Sequence, residues 1–181
     1  WMHPPEYMRK QSRLNMDGGF QMITHAIGDA AVREVLDVYL EAGVRPENRW
    51  RIEHAQIVHP SDMDRFAGSG IWASIQSSHG VSDRQMALER IGAERVAHAY
   101  RARTLVDRGI PVVNGSDFPI ELESPLRGFV AAAFRKEMDG KPASGFRPEE
   151  ALSRKEALDA MTIRTAEAQF EEALRGDLSQ G

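Results

Sequence analysis

Phe20-Gln21-Met22-Ile23-Thr24-His25 is a short apolar run that ends on an imidazole, and Gly28-Asp29 opens an amphipathic helix just behind it. The pattern returns along the chain. Trp50-Arg51-Ile52-Glu53 delivers His54, Ile71-Trp72-Ala73-Ser74-Ile75-Gln76 leads into Ser77-Ser78-His79-Gly80, and Ile110-Pro111-Val112-Val113-Asn114-Gly115-Ser116 delivers Asp117. Each run has strand length, and helical patterns lie between them. Such alternation implies an α/β fold with a parallel sheet and right-handed crossovers. Parallel strands in a barrel end on one face, so residues far apart in sequence converge there. His25, His54 and Asp117 supply two imidazoles and a carboxylate, a donor set that suits a divalent metal such as zinc.

The segments around these runs read as follows. Pro4-Pro5 before Glu6 suits a helix start, and Asp17-Gly18-Gly19 is a turn. Asp29 to Ala42 predicts a helix with the stripe Val32, Val35, Leu36, Tyr39 and Leu40, stopped by Gly43. Asp29 reads as its cap; the alternative is an acceptor that orients a ligand histidine. Ser61 to Asp64 opens a helix that faces Met63 and Phe66 inward and ends near Gly68 or Gly70. Ser77 to Gly80 is expected as a loop, Glu94 to Arg108 as one helix closed by Gly109, and Pro125 to Met138 as another. Ser153-Arg154-Lys155-Glu156 is a capping box for a helix through Met161.

With 181 residues and 41% hydrophobic content the chain can bury one core. The net charge is -4 and Lys and Arg are scattered, unlike the basic footprint of a nucleic-acid binder. No run approaches the apolar length of a membrane span. The absence of cysteine excludes disulfides, thiolate metal sites and a cysteine nucleophile. No signal peptide is visible and the expected compartment is the cytoplasm. The chain starts on Trp1, so the natural N-terminus and any targeting signal are expected upstream.

Four strand–helix units make half of a closed eight-stranded barrel, which takes about 250 residues. A standalone doubly wound sheet is the rival, but it gathers its ligand residues at one switch point. Here polar residues follow nearly every strand, which favours half of a TIM-like barrel. Half a barrel leaves two open parallel edges, so self-association into a homo-oligomer is expected.

Thr24-His25-Ala26-Ile27-Gly28-Asp29, Arg51-Ile52-Glu53-His54-Ala55-Gln56, Ser74-Ile75-Gln76-Ser77-Ser78-His79 and Gly115-Ser116-Asp117-Phe118-Pro119 resemble successive blocks of the amidohydrolase superfamily. The nearest match is its family 3 branch, that of the YtcJ-like proteins and N-substituted formamide deformylases. The likeness runs from about Gly19 to Gly176. It implies a metal-dependent hydrolase on a distorted TIM barrel, with a small β-sandwich built from both chain ends. On that reading residues 1–181 are a partial barrel domain covering strands five to eight. The N-terminal half-barrel would lie outside it, with a first-strand His-x-His and a fourth-strand bridging residue, often a carboxylated lysine. Arg175 to Gly181 would approach the sandwich. Ala30 stands where family members often carry arginine and Ser77 where proline is common; neither departure removes a ligand.

The resemblance pairs His25 and His54 on one metal. Taken alone, a histidine at a strand end is more often a hydrogen-bonded structural residue; the companion blocks favour ligation. Asp117 would bind metal too, accept a proton from the attacking water and pass it to the leaving amine. Its plain alternative is an Asx-turn in Gly-Ser-Asp-Phe-Pro. His79 would line the substrate site and hydrogen-bond a carbonyl or tetrahedral oxyanion; otherwise it is a solvated loop histidine. Glu53 should point to the opposite side of its strand from His54 and pair with Arg51 or a helix arginine. His3, His59 and His98 read as surface residues, Trp72 and Phe134 as packing residues. Ser116 lacks the Gly-x-Ser-x-Gly elbow of a serine nucleophile.

The expected activity is hydrolysis of a C–N bond in a small molecule, an amide or an N-formyl or N-acyl group, using one or two divalent ions, zinc foremost. Two other readings stay open: a deaminase on a related barrel, and a half-barrel that binds without turnover because the strand-one histidines lie outside this chain.

Overall fold

The computed structural model describes residues 3–178. Strands β1 (Ile23–Ala26), β2 (Arg51–His54), β3 (Trp72–Ile75) and β4 (Val112–Asn114) form one parallel sheet in the order β1-β2-β3-β4. Their ends differ by a few residues from the apolar runs: β1 starts at Ile23 rather than Phe20 and continues through His25 into Ala26. Nine helices accompany them among the described residues. These are α1 (Pro5–Asp17), α2 (Asp29–Glu41), α3 (Met63–Ala67), α4 (Ser77–Ser82), α5 (Arg84–Val96), α6 (Ala102–Asp107), α7 (Pro125–Phe134), α8 (Arg154–Met161) and α9 (Ile163–Ala168). None is long and apolar enough to cross a membrane. Trp1 and Ser179 to Gly181, on which the expectations about the two chain ends bear, lie outside the described residues.

Cross-strand register explains the two faces of the sheet. Thr24, Ile52, Ala73 and Val112 form one row, and His25, Glu53, Ser74 and Val113 form the next. Successive rows face opposite sides. The first side is apolar: Ile52, Ala73 and Val112, with Ala26 and Ile75, join Val32, Leu36, Phe66 and Leu105 in the main core. The second side is polar at β1 and β2, while Trp72 and Val113 pack there against Ala168 of α9. One face builds the core; the other is left for chemistry.

Several helices depart from their sequence signals for tertiary reasons. In α2 the buried set includes Val38, while Leu40 is exposed, because α1 packs alongside and shifts the covered face. Gly28, not Asp29, is the N-cap of α2, since the link from β1 is short enough for the chain to be helical already at Asp29. The Asp29 carboxylate accepts the Ala30 N–H at 3.0 Å and Arg95 Nη2 at 3.0 Å, and an acid in a first turn suits the helix dipole. The single helix expected from Glu94 to Arg108 is broken. Val58 N donates to His98 O at 3.1 Å and Tyr100 N to Gln56 O at 2.8 Å, and an antiparallel bridge joins Ile57 to Ala99. These bonds end the helix at Val96 and take Tyr100 (φ 54°) and Arg101 (ψ 52°) out of helical geometry. Helix α7 stops at Phe134, short of Met138, where Arg135 turns left-handed (φ 57°) and buries its side chain.

Other signals hold. Met63 and Phe66 of α3 are buried, and the capping box at Ser153 forms, with Glu156 N donating to Ser153 Oγ at 3.2 Å and Ser153 N to Glu156 Oε2 at 2.8 Å. Gly70 has φ 73°, and a Cβ there would stand 2.7 Å from Pro46 Cα. Only glycine lets the turn before β3 press onto the 3-10 turn Pro46–Asn48.

Candidate metal centre

Strict pleat alternation would separate the two expected ligand histidines, because His25 pairs with Glu53 while His54 pairs with Ala26. The backbone resolves this by turning left-handed at His54 (φ 73°) and Ala55 (φ 42°). For residues with a side chain that conformation costs roughly 1–3 kcal/mol each, and such strain clusters at functional sites. Its effect here is that the His54 ring meets the His25 ring edge-on, with centroids 4.4 Å apart. Glu53 stays on the polar face. Its carboxylate accepts Ser74 Oγ at 2.7 Å and Gln76 Nε2 at 2.9 Å, while the anticipated partner Arg51 stands farther off, at 3.9 Å.

His79 lies in helix α4, not in a loop, and it is buried. The helix starts where it does because Ser77 N donates to Oδ1 of Asn114, the last residue of β4, at 2.9 Å, and α4 then packs on α7. The His79 ring stacks on His54 with centroids 5.9 Å apart and planes 15° apart. Asp117 follows β4 in a left-handed turn (φ 57°) and is exposed; its backbone oxygen accepts Ile120 N at 2.8 Å.

One ligand atom from each of His54, His79 and Asp117 lies within 4.8 Å of the others. His54 Nδ1 and His79 Nε2 are buried without a hydrogen-bond partner among the described residues. Buried polar atoms are normally satisfied, so two such nitrogens beside a carboxylate fit a divalent cation. His25 is next to His54 but outside that group of three. Desolvation of its ring, and then the His54 charge, push its pKa below the ordinary value, against the opposing pull of Asp117 and Glu53. The neutral ring is the form that binds metal.

All four expected site residues therefore gather at one edge of the sheet. The remaining histidines lie elsewhere: His59 and His98 face each other at 6.3 Å, and His3 stands over Tyr7. Trp72 is buried as expected, but Phe134 is 41% exposed with Arg154 over its ring, since α7 turns that position outward. Sequence reasoning passed over Asn114 and Gln76, which tie the strand ends together. Their one signal was polarity inside or beside an apolar run.

A profile described as the Amidohydrolase family matches residues 2–181. The chain is 29% identical to the putative amidohydrolase YtcJ of Bacillus subtilis (strain 168), over 99% of this chain and 34% of that protein. It is 33% identical to the protein LONG AFTER FAR-RED 3 of Arabidopsis thaliana (98% and 31%), and 29% identical to the N-substituted formamide deformylase of Arthrobacter pascens (90% and 30%). Among solved structures, an uncharacterized metal-dependent hydrolase from Pyrococcus furiosus superposes with a TM-score of 0.80 at 30% identity, over 99% of this chain and 35% of that one. The chain spans about a third of the length of each of these proteins. Its four parallel βα units are a portion of the barrel of such hydrolases. With the histidine and aspartate blocks converging on one edge of that sheet and the profile matching along the chain, this protein belongs to the amidohydrolase family.

Proposed function

We propose that the full-length protein hydrolyses a C–N bond of a small molecule, an amide or an N-formyl or N-acyl group, at a divalent metal held on this edge of the sheet. The observation that carries the reading is the approach of His54, His79 and Asp117 ligand atoms to within 4.8 Å, with His25 against His54. The name of the family, the formamide deformylase and the metal-dependent hydrolase among the similar proteins support it. A divalent ion, zinc foremost, supplies Lewis acidity that polarises the scissile carbonyl and makes water a nucleophile near neutral pH. His25, His54 and Asp117 would hold the ion. Asp117 takes the proton of the attacking water and passes it to the leaving amine. His79 donates a hydrogen bond to the carbonyl oxygen as negative charge develops on it.

A second assignment is favoured by the distances themselves: His79, not His25, completes the ligand group with His54 and Asp117. Elemental analysis of the full-length protein and its His25→Gln, His54→Gln and His79→Gln variants tests both. Metal lost in His25→Gln and His54→Gln but kept in His79→Gln supports the first assignment. Metal lost in His79→Gln and His54→Gln but kept in His25→Gln supports the second. Unchanged metal in all three refutes the metal centre.

A further inference from the structure

His54 also borders a small cavity of about 20 Å³, lined with Ser77, Tyr100, Arg101 and Arg135 among others. That volume takes one water-sized or halide-sized occupant. Among the described residues, two arginines line it and no carboxylate does. Arg135 is 1% exposed, and its hydrogen bonds go to neutral carbonyls: Nε to Phe146 O at 3.0 Å and Nη2 to Tyr100 O at 3.3 Å. It cannot swing away freely, because Gly80 packs on it so closely that a Cβ there would sit 3.2 Å from Nη2. Arg101 leaves Nε and Nη1 buried without a hydrogen-bond partner among the described residues.

The nearby acid does not balance these charges. Glu150 stands 3.8 Å from Arg101 Nε, but it is shared with Arg147 at 3.3 Å and also accepts the Thr104 amide and hydroxyl. Burial, and then the like charge of Arg147, push Arg135 down to about 10. Buried charge is costly unless paired. Ser77, another residue of the cavity wall, also has an Oγ without a partner among the described residues.

We propose that this cavity is a binding site for one single-atom anion of the halide class, chloride in ordinary solution. The anion balances Arg101 and Arg135 and accepts hydrogen bonds from Arg101 and the Ser77 hydroxyl. A neutral water would fill the same space but leave the guanidinium charge uncompensated. The charge argument stands without any metal.

Crystals of the full-length protein grown in bromide, read by anomalous scattering at the bromine edge, test the site. The expected result is a peak in the cavity between His54, Ser77, Arg101 and Arg135 that is lost in Arg101→Met. In solution, the melting temperature should rise with chloride relative to gluconate at equal ionic strength, in metal-loaded and metal-stripped protein alike, and the rise should vanish in Arg101→Met. A cavity without bromide, or a melting temperature indifferent to chloride, overturns the proposal. If Arg101→Met fails to fold, the wild-type map and the chloride–gluconate comparison decide. Metal content is measured on the same samples, so failure of the metal reading and failure of the anion site are read separately.

Discussion

Asp117→Asn exchanges one side-chain oxygen for an amide and removes a negative charge, while leaving shape almost unchanged. The residue sits at φ 57°, a conformation that asparagine also adopts more readily than most residues. The bond from Ile120 N goes to its backbone oxygen and survives the substitution. Among the described residues its carboxylate makes no hydrogen bond, and the residue is exposed, so stability should change by no more than about 0.5 kcal/mol. The chemistry loses its proton acceptor. General-base catalysis contributes typically about 10²–10⁴-fold, which at 1.36 kcal/mol per tenfold is about 2.7–5.4 kcal/mol of barrier. We expect the metal-loaded full-length variant to turn over at least about a hundredfold more slowly, with its melting temperature nearly unchanged. The assay is steady-state release of amine from N-formyl and N-acyl amines, with metal content measured on the same preparation. Turnover within about tenfold of wild type refutes Asp117 as the base. A large fall in melting temperature with metal present would return the residue to a turn-forming role.

Two further predictions concern the scaffold. Gly70→Ala places a methyl group 2.7 Å from Pro46 Cα at a left-handed position, so denaturant unfolding should show a loss of more than about 1 kcal/mol, and an unchanged midpoint would contradict the close approach. Glu156 is pushed from 4.5 to about 2, chiefly by the Arg103 guanidinium at 2.6 and 2.9 Å and then by Ser153. Its folded pKa lies below the unfolded one, so its contribution is fully present above about pH 4.5 and is lost as pH falls toward 2. The gap in melting temperature between wild type and Glu156→Gln should therefore close over that window, and a gap independent of pH would refute the linkage.

What the sequence makes legible here follows local rules. Ile52 between Arg51 and Glu53 announces a strand with one apolar and one polar side, and Val32, Val35, Leu36 and Tyr39 announce a helix covering the apolar side. Capping at Ser153 is equally local. The site residues are legible as types at strand ends, but their mutual placement is not. Alternation sends His25 and His54 to opposite faces, and nothing near His79 shows that Asn114, distant in sequence, will start a helix by accepting Ser77 N. Those arrangements depend on contacts between segments, which no window of sequence contains.

The failures are connected. The expected helix from Glu94 to Arg108 breaks because His98 O, the Ala99 bridge and Tyr100 N bond to Gln56, Ile57 and Val58. Those residues follow directly on the left-handed pair His54-Ala55. Ile57 N also donates to Ile27 O at 2.9 Å, on the link between β1 and α2. The segment after His54 is thus held from two sides, by the exit of β1 and by the broken helix. A strained conformation persists only where its surroundings over-determine it. Residues 98–100 give up the i→i−4 hydrogen bonds of a continuous helix, and the bonds they form instead keep His54 turned toward His25 and His79. Local consistency is surrendered in two places for one arrangement, the pattern expected where a site rather than a core sets the structure.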